Sequence, residues 1–265
     1  MSTTSRAVSS TPVTHRASPE RIMARYPVRP LEALRAMRAL IDNPDDTAEV
    51  FRVIRALAGR NFERLFARVM ADPTGARILE EGRSLLPVLD DRARLRALPE
   101  GSLGNEYARF MDAEHISAGG LEEASLVTKT EFYDERARCL SERLRDMHDL
   151  WHVVTGYGRD LVGEGALLAF SHAQTRNRGV GFIVLVGMLK FWQAGRPEVV
   201  RVMRKGWRRG HRAAFLPAVD WEAMLLRPLD EVRRALRIEP LTEYTAILSS
   251  DAEAARAGAV APIQY

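Results

Sequence analysis

The sequence predicts an all-α fold, a single multi-helix domain, and three observations lead there. Apolar residues recur at three- and four-residue spacing in segment after segment, strand-like alternation is nearly absent, and caps and prolines fall where the periodic runs start and stop. Length and composition agree, since 265 residues with 46% hydrophobic content suffice for a substantial core. No repeat of fixed period is present. The expected division is a disordered tail over 1–25, the helical domain over 26–245 and a flexible C-terminal tail over 246–265.

Taken in order, the first helix follows Pro30, where Leu31, Leu34, Met37, Leu40 and Ile41 share one face, and it stops at Asn43-Pro44. Asp45, Asp46 and Thr47 supply cap chemistry for a second helix carrying Val50, Phe51, Ile54 and Leu57. Further helices fit Phe62 to Met70, Pro73 to Glu81 and Asp90 to Leu98, and a turn ending at Ser102 caps one through Tyr107 to Met111. His115 to Glu123 reads as a loop. One long helix is expected from Thr130 to Thr155, then others over Asp160 to Ala173, Val180 to Gln193 and Pro197 to His211. Short helical pieces follow around Trp221 to Leu225 and Leu229 to Leu236.

Bulk chemistry narrows the function classes. The single Cys139 excludes an internal disulfide and reads as a small buried apolar residue. A pI near 9.5 favours an anionic partner, with phospholipid, phosphorylated ligand and nucleic acid all open at this level. The longest apolar run, Gly179 to Phe191, is too short for a membrane span and carries Lys190. The first 19 residues lack acid and are dense in Ser, Thr and Arg. That composition suits an organellar transit peptide or a disordered bacterial tail, and the Ala and Arg throughout the chain favour the tail.

Chemistry concentrates in Met147-His148-Asp149-Leu150-Trp151-His152. On a helix the two histidines stand about 40° apart around the axis, with Asp149 about 60° beyond His152, so one arc holds all three. Four-residue histidine spacing lets both imidazoles reach one cation, and a carboxylate adds an anionic ligand. Gly156-Tyr157-Gly158 ends that helix, and the next carries Glu164 between Leu161 and Leu168. A carboxylate on an inward face is costly unless a cation neutralises it. The competing reading makes His148 a hydrogen-bonded core histidine, pairs Asp149 with Arg145, and leaves Glu164 at the surface.

The segment His148-Asp149-Leu150-Trp151-His152, followed after eleven residues by Glu164, resembles the H-D-x-x-H-x(11)-E signature of the coenzyme Q (ubiquinone) biosynthesis protein four family. DTAEVFRVIRAL at 46–57, LPEGSLGNEYARF at 98–110 and VDWEAMLLRPLDEVRRALRI at 219–238 agree in the same order. The resemblance covers roughly residues 30 to 240. It implies metal and catalytic positions at His148, Asp149, His152 and Glu164, a divalent cation described as zinc, and a hydrophobic channel for a polyprenyl lipid beside it. It further implies a peripheral membrane location, cytoplasmic in a bacterium or on the matrix side in a mitochondrion, and self-association. The implied role is oxidative decarboxylation at ring carbon 1 of a polyprenylated hydroxybenzoate. The alternative is a non-catalytic scaffold for the other ubiquinone biosynthetic enzymes. Iron or manganese suits the same ligands as zinc.

Two further stretches bear on that role. Phe182 to Trp192 is apolar around nearly its whole helix, which suits plain core or a lipid-facing wall. In Arg196 to Arg212, the cations Arg201, Arg204, Lys205, Arg208 and Arg209 oppose one Glu198. They form a solvated basic face or a contact with anionic headgroups, and Trp207 favours the interface. No nucleic-acid reading motif accompanies them. A phosphohydrolase of the HD type is disfavoured, because it needs a further upstream histidine and downstream aspartate, for which His115 and Asp160 are poorly placed.

Overall fold

The computed structural model describes residues 22–24, 26–43, 46–115, 130–239, 241 and 244. Helices dominate: α1 Pro30–Asp42, α2 Thr47–Ala56, α3 Asn61–Met70, α4 Pro73–Glu80, α5 Leu86–Asp90, α6 Arg92–Arg96 and α7 Leu103–Ala113 come first. After the undescribed stretch follow α8 Glu135–Asp146, α9 His148–Thr155, α10 Leu161–Thr175, α11 Arg178–Gln193, α12 Pro197–Arg212, a 3-10 turn Leu216–Ala218, α13 Trp221–Met224 and α14 Leu229–Ala235. Among the described residues there is no strand, only isolated bridges joining Met23 to Phe132 and Ser102 to Pro228. No described helix is long and apolar enough to cross a membrane.

α10 forms the axis of the molecule because its residues are small or apolar on most sides. Val162, Ala166, Leu167, Ala169, Phe170 and Ala173 are all buried. α12 lies directly against it, with Val199, Val202 and Met203 buried and Arg201, Arg204 and Arg208 exposed. Glycines make this approach possible: a β-carbon at Gly206 would collide with the Ala166 carbonyl, and one at Gly210 with that of Phe170. α11 and α2 meet in the same way, since a β-carbon at Gly179 would strike the backbone of Ile54. Around this axis Leu85, Leu103, Tyr107, Met147, Leu150 and Trp221 complete the main core.

Three boundaries differ from the sequence reading. The long helix expected over Thr130–Thr155 starts only at Glu135, where the Asp134 side chain accepts from the Arg136 N–H, and it breaks at Met147. Met147 has φ −77° and ψ −4°, too open in ψ for a helical residue. No glycine or proline marks this break; the Met147 side chain is buried there, and one turn earlier Arg143 is tied to Glu222. The helix expected over Asp90–Leu98 covers only Arg92–Arg96, and an unexpected short helix, Leu86–Asp90, precedes it, because Asp91 turns out of helical geometry and caps the second through the Arg94 N–H at 3.1 Å. Within the tail expected over 1–25, Ile22 to Ala24 are tied down: Met23 is buried, and Ala24 N–H donates to the Glu131 carbonyl at 2.8 Å. The rest of that tail except Ile22 to Ala24, the tail over 246–265, and the loop expected beyond His115 lie outside the described residues.

Candidate metal centre

The break at Met147 starts α9 at His148, and Gly156 ends it in a left-handed conformation at φ +79°. A residue without a β-carbon is needed there. The chain then turns through Tyr157 and Gly158 to Asp160, whose carboxylate accepts from the Val162 and Gly163 N–H groups and so begins α10. Glu164 falls in the first turn of α10, where the helix dipole favours a negative charge.

This arrangement brings three predicted ligands together. His152 Nε2 lies 3.3 Å from His148 Nε2 and 3.4 Å from one Glu164 oxygen, and His148 Nε2 lies 3.9 Å from the other. A tetrahedral cation with bonds of about 2.0–2.1 Å holds its ligand atoms roughly 3.3–3.4 Å apart, which the two distances from His152 match and the 3.9 Å from His148 to Glu164 exceeds. The tautomer fits too. His152 Nδ1 donates to the Tyr157 carbonyl at 2.9 Å, which leaves the Nε2 lone pair facing the centre of the group. His152 is fully buried with its ring stacked on Phe110 at 5.5 Å, while the side chains of His148 and Glu164 retain 27% and 29% exposure. The group is thus closed behind and open in front.

Asp149 is not in that close group. It is 5% exposed on the same helix and has no side-chain hydrogen bond or ion pair among the described residues. A buried carboxylate without donors is costly unless a cation offsets its charge. It does not pair with Arg145, which bonds Asp146 instead. The electrostatics show what the side chains do to one another. Burial, with His152 alongside, holds the His148 pKa below the ordinary imidazole value. Burial opposes charge on His152 as well, but the Glu164 carboxylate bonded to it prevails and raises its pKa. Burial pushes Glu164 up, and the neighbouring His152 outweighs it, leaving that pKa below the usual carboxylate range.

Several supports were not legible as site residues. Arg159 lies 3.9 Å from Glu164, and Asp160, the helix cap, bonds the Tyr244 hydroxyl. Only the Asp160 cap had a local signal. Of the five cations predicted to face headgroups, Arg201, Arg204 and Arg208 are exposed and Lys205 is half-buried, but Arg209 is not on that face. It is 4% exposed, stacks 5.0 Å from the Tyr157 ring centre, and donates to the backbone carbonyls of Thr155 and Glu239. It serves as a clamp for the end of α9.

The profile of the coenzyme Q (ubiquinone) biosynthesis protein Coq4 family matches residues 25–242. This chain belongs to that family. Curated relatives include the mitochondrial ubiquinone biosynthesis protein coq4 of Aspergillus clavatus, 32% identical over 178 residues, and that of Talaromyces stipitatus, also 32% identical. Each alignment takes in 66% of this chain and 60% of the relative, so the chain spans less than two thirds of their length. A solved protein of Nostoc punctiforme whose description names ubiquinone biosynthesis is 24% identical, with a TM-score of 0.63 over 81% of this chain and all of that one. At that identity the likeness concerns the fold. As a Coq4-family chain, this protein has at His148, His152 and Glu164 a group able to hold a metal ion.

Proposed function

We propose that this chain acts in ubiquinone synthesis as a metal-dependent oxidative decarboxylase of a polyprenylated hydroxybenzoate. The observation that carries the reading is the convergence of two imidazole Nε2 atoms and the Glu164 carboxylate within 4.8 Å, open to solvent on one side. His148, His152 and Glu164 would hold the cation, with Asp149 as the fourth ligand; zinc suits the set, and iron or manganese also fits. When bound, such a cation supplies Lewis acidity toward a carboxylate or phenolate.

The protein's own groups supply the rest. His152 holds its Nδ1 proton on the Tyr157 carbonyl, which turns Nε2 toward the Glu164 carboxylate and toward the cation the two would share. Phe110 and the buried wall behind His152 exclude water from that side, and Arg159 steadies the Glu164 carboxylate. In the overall change the ring carboxyl departs as carbon dioxide and water supplies the incoming hydroxyl in the balance, with two protons and two electrons released. Dioxygen is the oxidant this reading names.

The exposed apolar side chains of α11, Leu185 at 65%, Leu189 at 55% and Trp192 at 65%, favour a second reading. Monomeric surfaces rarely leave such side chains in water without a use. In that reading the protein is a lipid-binding scaffold at a membrane surface, self-associating and docking other ubiquinone biosynthetic enzymes, with the metal as a clamp. Location follows the mitochondrial relatives, on the matrix side, or the cytoplasmic face in a bacterium. Purified protein given metal, oxygen and a short-chain prenyl-hydroxybenzoate is expected to release carbon dioxide. Tight binding without release would leave the scaffold reading standing and end the catalytic one.

A further inference from the structure

Eleven residues beyond Glu164, roughly 16 Å along the axis of α10, the other end of that helix meets α3. Between them lies a cleft of about 230 Å³, lined among others by Asn61, Arg64, Arg68, Gln174, Thr175 and Arg176. Three guanidinium groups line it and no acidic residue does. Elsewhere the arginines of this protein are commonly paired, as Arg83 is with Asp220 and Arg96 with Asp112. Among the described residues, Arg64, Arg68 and Arg176 have no carboxylate partner.

Local structure accounts for part of this charge. Arg68 donates to the Gln174 carbonyl at 3.4 Å and lies over the Phe215 ring, and Asn61 donates to the Thr175 carbonyl at 3.5 Å. A helix C-terminus carries about half a negative charge, which cannot balance three guanidinium cations. The excess is felt nearby: burial and then Arg176 depress the Arg68 pKa, and burial followed by Arg176, His172 and Arg68 depress that of His211. Arg176 also holds a left-handed backbone, φ +53°, at the cap of α10, where glycine is the usual residue. Its exposed side chain is one of the three guanidinium groups that line the cleft.

We propose that this cleft is a second ligand site, distinct from the metal centre, that takes a phosphate-type oxyanion. Planar guanidinium forks match the oxygens of phosphate, and several together bind it with charge-assisted hydrogen bonds. The volume is below the roughly 300–1,000 Å³ of clefts that enclose drug-sized ligands, so the occupant is a phosphate or diphosphate group rather than a whole nucleotide. The group belongs either to a soluble molecule or to a lipid headgroup.

The test titrates the full chain calorimetrically with inorganic phosphate and pyrophosphate. In parallel it sediments the chain with phosphatidylcholine vesicles with and without phosphatidic acid. R64Q and R176G are compared with the unaltered protein, and neither touches the basic face of α12. Each is expected to weaken binding about tenfold, the usual effect of losing one charge-assisted contact. R176G also relieves a left-handed non-glycine backbone, so its melting temperature holds or rises, and its loss of binding cannot come from unfolding. Weakened pyrophosphate binding supports the site with a soluble occupant; weakened retention on phosphatidic acid vesicles alone supports it with a headgroup. If the unaltered chain binds neither, or both variants bind as it does, the proposal fails.

Discussion

Replacing His152 by alanine tests the candidate metal centre and its packing in one variant. The imidazole is fully buried, stacked on Phe110 and bonded to the Tyr157 carbonyl. Truncating a buried ring costs about 2–3 kcal/mol through lost contacts and the cavity left behind. The orphaned carbonyl adds about 1 kcal/mol. For a domain of this size each kcal/mol lowers the melting temperature by roughly 2–4 °C, so a fall near 10 °C is expected for the metal-free protein. A second effect separates ligation from packing. A cation present at 100 times its dissociation constant stabilises the native state by about 2.7 kcal/mol, which should raise the melting temperature of the unaltered protein by roughly 5–10 °C. H152A should lack this increment and carry little metal. The measurements are elemental analysis of the purified chains and thermal scans with and without added zinc. Equal metal content in the two proteins, or an equal response to zinc, would refute the assignment of His152 as a ligand.

Glu164→Gln keeps the side-chain shape at a partly exposed position, so it should change the stability of metal-free protein by less than about 1 kcal/mol while weakening zinc binding at least tenfold, read by competition with a chelator. Gly206→Ala should destabilise by about 1–3 kcal/mol, because its methyl meets the Ala166 carbonyl; an unmoved denaturation midpoint would contradict the close α10–α12 contact. The Arg83 hydrogen bond holds Asp220 below the usual carboxylate range, so its stabilisation is present above the unfolded carboxylate value and is lost on acidification through the folded one. Melting temperatures below about pH 4 should therefore fall less steeply in Asp220→Asn than in the unaltered chain. Neutralising Arg201, Arg204, Lys205 and Arg208 together should reduce sedimentation with anionic vesicles at low salt. Arg209→Gln should instead cost about 2–3 kcal/mol of stability, since it strips a donor from two backbone carbonyls.

The helical class and most helix positions were readable because periodicity and caps are local: Asp46, Asp72, Ser102 and Asp160 cap the helices that follow them. The break at Met147 was not, since no residue there disfavours a helix and the nearby tie of Arg143 to Glu222 joins residues far apart in sequence. The candidate metal group was legible in His148, His152 and Glu164, which stand on two consecutive helices joined by a glycine turn. Whether Asp149 joins them depends on one side chain's direction, which helical spacing leaves open across about 60°. Arg209 shows the same limit from the other side. A run of arginines reads as one basic face, yet one member turned inward because the end of α9 needed a donor. The arginine cleft drew on α3 and the end of α10, more than a hundred residues apart, and carried no contiguous signal at all.

Glycine against carbonyl at Gly206 and Gly210 makes α10 and α12 a sealed seam rather than a slot. A hydrocarbon tail cannot be threaded between these two backbones without prising them apart. Any isoprenoid ligand of the histidine pair has to travel along another wall of α10, and enlarging side chains on the α12 side would unseat the helix long before it narrowed a passage.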